Sequence, residues 1–132
     1  MSWIEFNGNP TGRRVGDCAV RAVSVALGVD WETAYALLAV NGFAMGDILN
    51  SNSVTGATLR QHGFKRANIP DECPDCFTVK EFSELNPNGT FMLGTGTHVV
   101  SVVDGQYMDS WDSGDEVPVY VWYKDVIPNF DI

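Results

Sequence analysis

The amino-acid sequence predicts an α+β domain, with helices first and an antiparallel sheet of four to five strands after them. Three observations carry this reading. Between residues 18 and 85 apolar residues recur at helical spacing, in runs bracketed by capping residues and stop signals. After Gly89 the pattern changes to short runs rich in Val, Tyr, Phe and Trp, divided by Gly, Asp or Pro. Within that second part, Asp104-Gly105 is a strong two-residue hairpin signal. At 132 residues the chain reads as one domain, 1–132, with a sizeable core.

Residues 1–17 read as an extended, irregular lead-in with turn signals at Asn7-Gly8 and Asn9-Pro10. The first helix spans about Cys18 to Leu27, with Asp17 placed to cap it and Gly28 to end it. Only Arg21 and Ser24 interrupt its apolar run, so it is predicted to be central and buried. A second helix runs from Trp31 to about Val40, capped by Asp30 and stopped by Gly42. A third covers about Gly56 to His62, with Thr55 as cap and Gly63 as stop. Phe64 to Ile69 reads as a short strand. The fourth helix has the clearest start: Thr78 and Glu81 form a capping box, and Phe77 and Phe82 a hydrophobic staple. Strands are then expected at 90–94, 98–103, 106–111 and 117–123.

A net charge of −9 argues against a nucleic-acid binder, because phosphate contacts need Lys and Arg, and here there are only eight. No apolar run is long enough to span a membrane, and the N-terminus lacks the pattern of a signal peptide. The expectation is a soluble, cytoplasmic protein. Three cysteines do not make an even disulfide framework. Cys73-Pro74-Asp75-Cys76 is a CxxC, but no second CxxC completes a zinc site, so no metal or other cofactor is expected. The favoured reading is a plain loop with two thiols, ahead of a disulfide or redox role.

Cys18 carries the chemistry. It opens an apolar helix after Gly16-Asp17, where the positive end of the helix dipole favours the nucleophilic thiolate. His98 stands at the head of a predicted strand and Asp109 on the next. A two-residue turn at Asp104-Gly105 pairs Val103 with Gln106, Val100 with Asp109 and His98 with Trp111. His98 and Asp109 are then diagonal neighbours on one face, with backbones roughly 7–8 Å apart. The same register turns Ser110 and Asp112 to the other face. A nucleophile, a base and a group that orients the base are what thiol catalysis requires. Trp111 is placed beside His98 to shield it from water. Taken singly, a core cysteine, a structural histidine and a turn aspartate are ordinary; their conjunction is what points to a site.

These residues resemble the papain-like cysteine peptidase superfamily. Asp17-Cys18 and its small-residue helix are similar to the nucleophile helix of the double-glycine leader peptidases of bacteriocin exporters. Asp109-Ser110-Trp111 resembles papain's Asn-Ser-Trp, and the stretch 89–122 resembles small papain-like proteins of bacteriophages and prophages. The resemblance implies a papain-like fold, with Cys18 as nucleophile, His98 as base and Asp109 as orienter. It implies hydrolysis of peptide or isopeptide bonds in a peptide or protein substrate, in a bacterial or phage-infected cytosol. The alternatives are a thiol amidase or acyltransferase, or a catalytically idle module used for protein binding, as in a phage structural or host-modulating protein. The chain departs from the pattern at Gly12, where the family carries an oxyanion-stabilising Gln. Asn9 or Asn7 is the expected substitute, with help from the backbone N–H of Cys18.

Overall fold

A computed structural model describes residues 2–70, 72 and 76–130. Among the described residues, four helices and a six-stranded mixed sheet form an α+β architecture. In chain order the elements are β1 (Trp3–Glu5), α1 (Cys18–Leu27), α2 (Trp31–Met45), α3 (Asn52–Gln61), β2 (Lys65–Asn68), α4 (Val79–Leu85), β3 (Thr90–Gly94), β4 (Val99–Val103), β5 (Gln106–Asp109) and β6 (Tyr120–Tyr123). The strand order is β1-β5-β4-β3-β6-β2.

The sheet separates two apolar layers, and alternation along its strands decides which residue feeds which. Met92, Val99, Tyr120 and Trp122 pack with α1, α2 and α3. Phe91, Leu93, Val100, Val102, Tyr107 and Val121 face the other way, onto Phe77, Val79 and Phe82 around α4. Helix α1 lies centrally on the first layer, as its nearly unbroken apolar run predicts. Ser101 of β4 donates to the carbonyl of Ala22 at 2.6 Å, pinning helix to sheet.

Several boundaries differ from the sequence expectation, each for a local reason. Residues 3–5 are not an irregular lead-in: they pair in parallel with β5, so the sheet is mixed rather than wholly antiparallel. Helix α2 runs through Gly42 to Met45 and ends at Gly46 in the left-handed region (φ 68°). Gly42 is needed inside the helix because a Cβ there would lie 2.9 Å from the backbone oxygen of Asp47. Helix α3 starts a turn earlier than expected, since Ser51, rather than Thr55, accepts from the N–H of Val54. The capping box of α4 forms as read, with Phe77 and Phe82 stacked 6.2 Å apart. Cys76 is disulfide-bonded, so the CxxC is not a loop with two free thiols; Cys73 lies outside the described residues. Among the described residues no single helix is long and apolar enough to cross a membrane.

Candidate active site

Two tight turns place His98, which faces Cys18, and Asp109, which backs His98. The Asp104-Gly105 turn has positive φ at both positions, 48° and 79°, as a type I′ hairpin requires. Its ladder runs Val103↔Gln106, Val102↔Tyr107 and Ser101↔Met108, the register the turn signal predicts. The second turn, Gly96-Thr97, joins β3 to β4 and closes with the N–H of Thr95 donating to the carbonyl of His98 at 2.8 Å. Gly96 has φ 99°, a conformation that glycine takes without strain. His98 therefore leaves the sheet immediately before β4 begins, and Asp109 ends β5 on the adjacent strand.

Alternation alone would send both side chains to the α4 face, with Val100, Val102 and Tyr107. They meet α1 instead because both lie beyond the last pair of the β4–β5 ladder. The end of β5 is fixed from the outside by β1: the carbonyl of Asp109 accepts from the N–H of Phe6 at 2.8 Å and from Trp3 Nε1 at 3.2 Å.

His98 Nε2 donates to Asp109 Oδ2 at 2.6 Å. The remaining ring nitrogen is left for Cys18, which is hydrogen-bonded to His98 and also accepts from the backbone N–H of Val99. The hydrogen bond to His98 is the main influence that lowers the Cys18 pKa, against the opposing effect of burial. Burial would push His98 down; its hydrogen bonds to Asp109 and Cys18, and their charges, prevail and hold it at about 9. Asp109 is buried, which favours its neutral form, yet its hydrogen bonds to His98 and Ser113 and the charges of His98 and Arg21 keep it below the usual carboxylate range. Both shifts act in the direction of a thiolate beside an imidazolium.

Asp109 is fully enclosed and saturated. Oδ1 accepts from Arg21 Nε (3.1 Å), Arg21 Nη2 (2.9 Å) and the N–H of Ser110 (2.8 Å). Oδ2 accepts from His98 and from Ser113 Oγ (2.6 Å). Arg21 extends the network, donating through Nη1 to Asp17 Oδ1 at 2.6 Å, and Trp31 Nε1 donates to Asp17 Oδ2 at 2.9 Å. Both Asp17 and Arg21 are buried. Acidic and basic side chains alternate along Asp17, Arg21, Asp109 and His98, which is how these groups can share the interior.

Asp17 therefore does not cap α1 with its side chain, contrary to expectation. The first turn of the helix keeps its N–H groups without a side-chain acceptor, at the point where Cys18 and Ala19 line a cleft of about 160 Å³. The other walls include Asn50, Asn52, Thr55, His98 and Tyr120. Asn7 and Asn9 are not brought to this cleft. Asn7 Nδ2 donates to the carbonyls of Gly12 and Arg13, and Asn9 Oδ1 accepts from Thr11, so both amides hold their own loop together. Trp111 sits with its ring 5.0 Å from that of His98 but is 45% exposed, covering one side only. Asp112 is turned away, accepting from the hydroxyl of Tyr107 and the N–H of Gly114.

Sequence reasoning missed Arg21, Ser113, Asn50 and Asn52. The signal for Arg21 was present: an arginine four residues after an aspartate, in an otherwise apolar helix, is an ion pair awaiting burial. Among the described residues no group of three or more His, Cys, Asp or Glu is placed to hold a metal ion. Compared with family models, with curated proteins and with solved structures, the chain matches none of them.

Proposed function

We propose that the protein is a thiol hydrolase of papain-like arrangement, a cysteine peptidase or isopeptidase that works through Cys18, His98 and Asp109. The observation that carries this reading is the continuous contact from Cys18 to His98 to Asp109, with the His98–Asp109 bond at 2.6 Å. A nucleophile within reach of a base, itself oriented by a third group, is the arrangement acyl transfer needs.

In the first step the Cys18 thiolate attacks the substrate carbonyl carbon, forming a C–S bond as the C=O π electrons move to oxygen. The N–H groups at the start of α1 stabilise that oxyanion, and Asn50 and Asn52 are the side-chain amides in reach of the cleft. Collapse breaks the C–N bond, and His98 gives its proton to the leaving amine. Water then attacks the thioester, His98 accepts its proton, and the acid departs as thiolate is regenerated. Asp109 stays ionised throughout, holding the imidazole in place.

The test is a panel of electrophilic peptide probes followed by mass spectrometry. The expected result is a covalent adduct on Cys18 that disappears in Cys18→Ala and falls sharply in His98→Ala. An unmodified Cys18 with every probe, in a folded protein, supports the binding-module reading instead.

A further inference from the structure

Although the chain carries a net charge of −9, four of its eight basic residues gather at one rim. Lys65 and Arg66 lie on β2, the edge strand, opposite Tyr123 and Trp122 of β6, so Arg66 shares the face of Trp122 and α1–α3 while Lys65 is turned to the other face. Lys124 follows β6, and Arg60 lies in the last turn of α3, over Trp122 of β6. All four are exposed. None makes an ion pair with a carboxylate among the described residues, whereas Arg14 pairs with Glu5 and Arg21 with Asp17 and Asp109. Three of them rest on aromatic rings instead. Arg66 lies 4.5 Å over Tyr120, Arg60 4.9 Å over Trp122, and Lys124 5.9 Å from the ring centre of Phe64. A guanidinium stacked in this way presents its N–H edge to a carboxylate; Arg66 spends one donor, Nη1, on Asn68 Oδ1 at 2.7 Å and has its other N–H groups for a ligand.

This rim is continuous with the catalytic cleft. Tyr120 is a wall of that cleft and the platform under Arg66. The Tyr120 ring thus shares the cleft with Cys18 and carries Arg66 on its face. The cations then continue away from Cys18 through Arg66 and Arg60 to Lys124.

We propose that this rim binds an acidic segment of the polypeptide substrate, with Arg66 taking a carboxylate next to the cleft and Arg60 and Lys124 taking others further along. The inference rests on the hydrolase reading for the word substrate, and names its class: a chain with Asp or Glu residues flanking the scissile bond. A short peptide touches only the rim. A nucleic acid would also lay its phosphates against the acidic remainder of the surface.

Binding is measured on full-length Cys18→Ala protein by fluorescence anisotropy, with a short Asp/Glu-rich peptide and a matched Gln/Ser peptide. The acidic peptide is expected to bind and the neutral one not. Binding is expected to weaken at least tenfold, or ~1.4 kcal/mol, in the Arg60→Gln/Arg66→Gln double variant. The charge-matched control Arg13→Gln/Lys80→Gln should bind normally, and both variants should keep the parent melting profile, since all four side chains are exposed. In the unmodified protein, the acidic peptide should also slow alkylation of Cys18. Equal binding of the two peptides, no binding of the acidic one, an equal loss in the control, or tighter binding of an oligonucleotide would each overturn the proposal. Because binding is read without the thiol, the rim can be established even if Cys18 proves inert. An activated Cys18 with no acidic preference would sink the rim alone.

Discussion

Arg21→Met tests whether the buried charge chain holds the site together. The substitution keeps most of the aliphatic volume but removes three hydrogen bonds, two to Asp109 and one to Asp17. Two buried carboxylates then lose their shared cation, and only His98 and neutral donors remain. Breaking a buried ion pair by deleting one partner costs about 3–5 kcal/mol, because the other charge is left stranded. Against a domain stability of roughly 5–15 kcal/mol, that is a large fraction. Urea unfolding followed by tryptophan fluorescence should therefore show a midpoint lower by ~2 M. Arg21→Lys keeps the charge but not the fork that reaches both carboxylates, and should lose about half as much. Adding Asp17→Asn to Arg21→Met removes one stranded charge and should recover part of the loss, so the two changes are not additive. A loss below about 1 kcal/mol in Arg21→Met, or strict additivity with Asp17→Asn, would refute the reasoning.

The two aspartates near the hairpin should behave differently. Asp109→Ala should cut turnover by roughly 10²-fold or more, since His98 loses its orienting acceptor, while Asp112→Ala stays within a few-fold of the parent. Rates on one substrate, measured for folded variants, decide this; the reverse order would reassign the third member. Gly94→Ala should lower stability by about 1–3 kcal/mol and slow reaction with peptide probes. A Cβ there would collide with the ring of Tyr120, so the ring that walls the cleft must move. Unchanged melting and probe rates would show that the ring has room to shift.

The parts of this fold that were legible in the sequence are those governed by local chemistry. Asp104-Gly105 specified its turn and, through it, the register of β4 and β5. Thr78 and Glu81 specified the start of α4. Long-range contacts were not legible. Residues 3–5 are too short to announce a strand and depend on β5 for their pairing. Gly42 has the look of a helix stop, yet serves the close approach of residues 47–49. The cap role expected of Asp17 yielded to Arg21 and Trp31, partners that only the tertiary fold supplies. His98 and Asp109 were correctly placed as neighbours, but alternation groups them with Val100, Val102 and Tyr107, which face α4. Their contacts with α1, His98 to Cys18 and Asp109 to Arg21, depend on where the ladder ends, which no local pattern states.

The most direct test of the central claim is the pH dependence of Cys18 alkylation by iodoacetamide, mapped by mass spectrometry in the parent protein and in His98→Ala. A thiolate reacts and a thiol does not. With its pKa lowered by His98, Cys18 should begin to alkylate below the ordinary thiol range and reach a plateau earlier than a free cysteine as pH rises. Its rate should change again near pH 9, where the imidazolium loses its proton and the ion pair ends. In His98→Ala the onset should move up to the ordinary thiol range, about 8.5. Coincident profiles for the two proteins, both rising only near pH ~8.5, would contradict the account, because Cys18 would then be an ordinary cysteine and His98 not its partner.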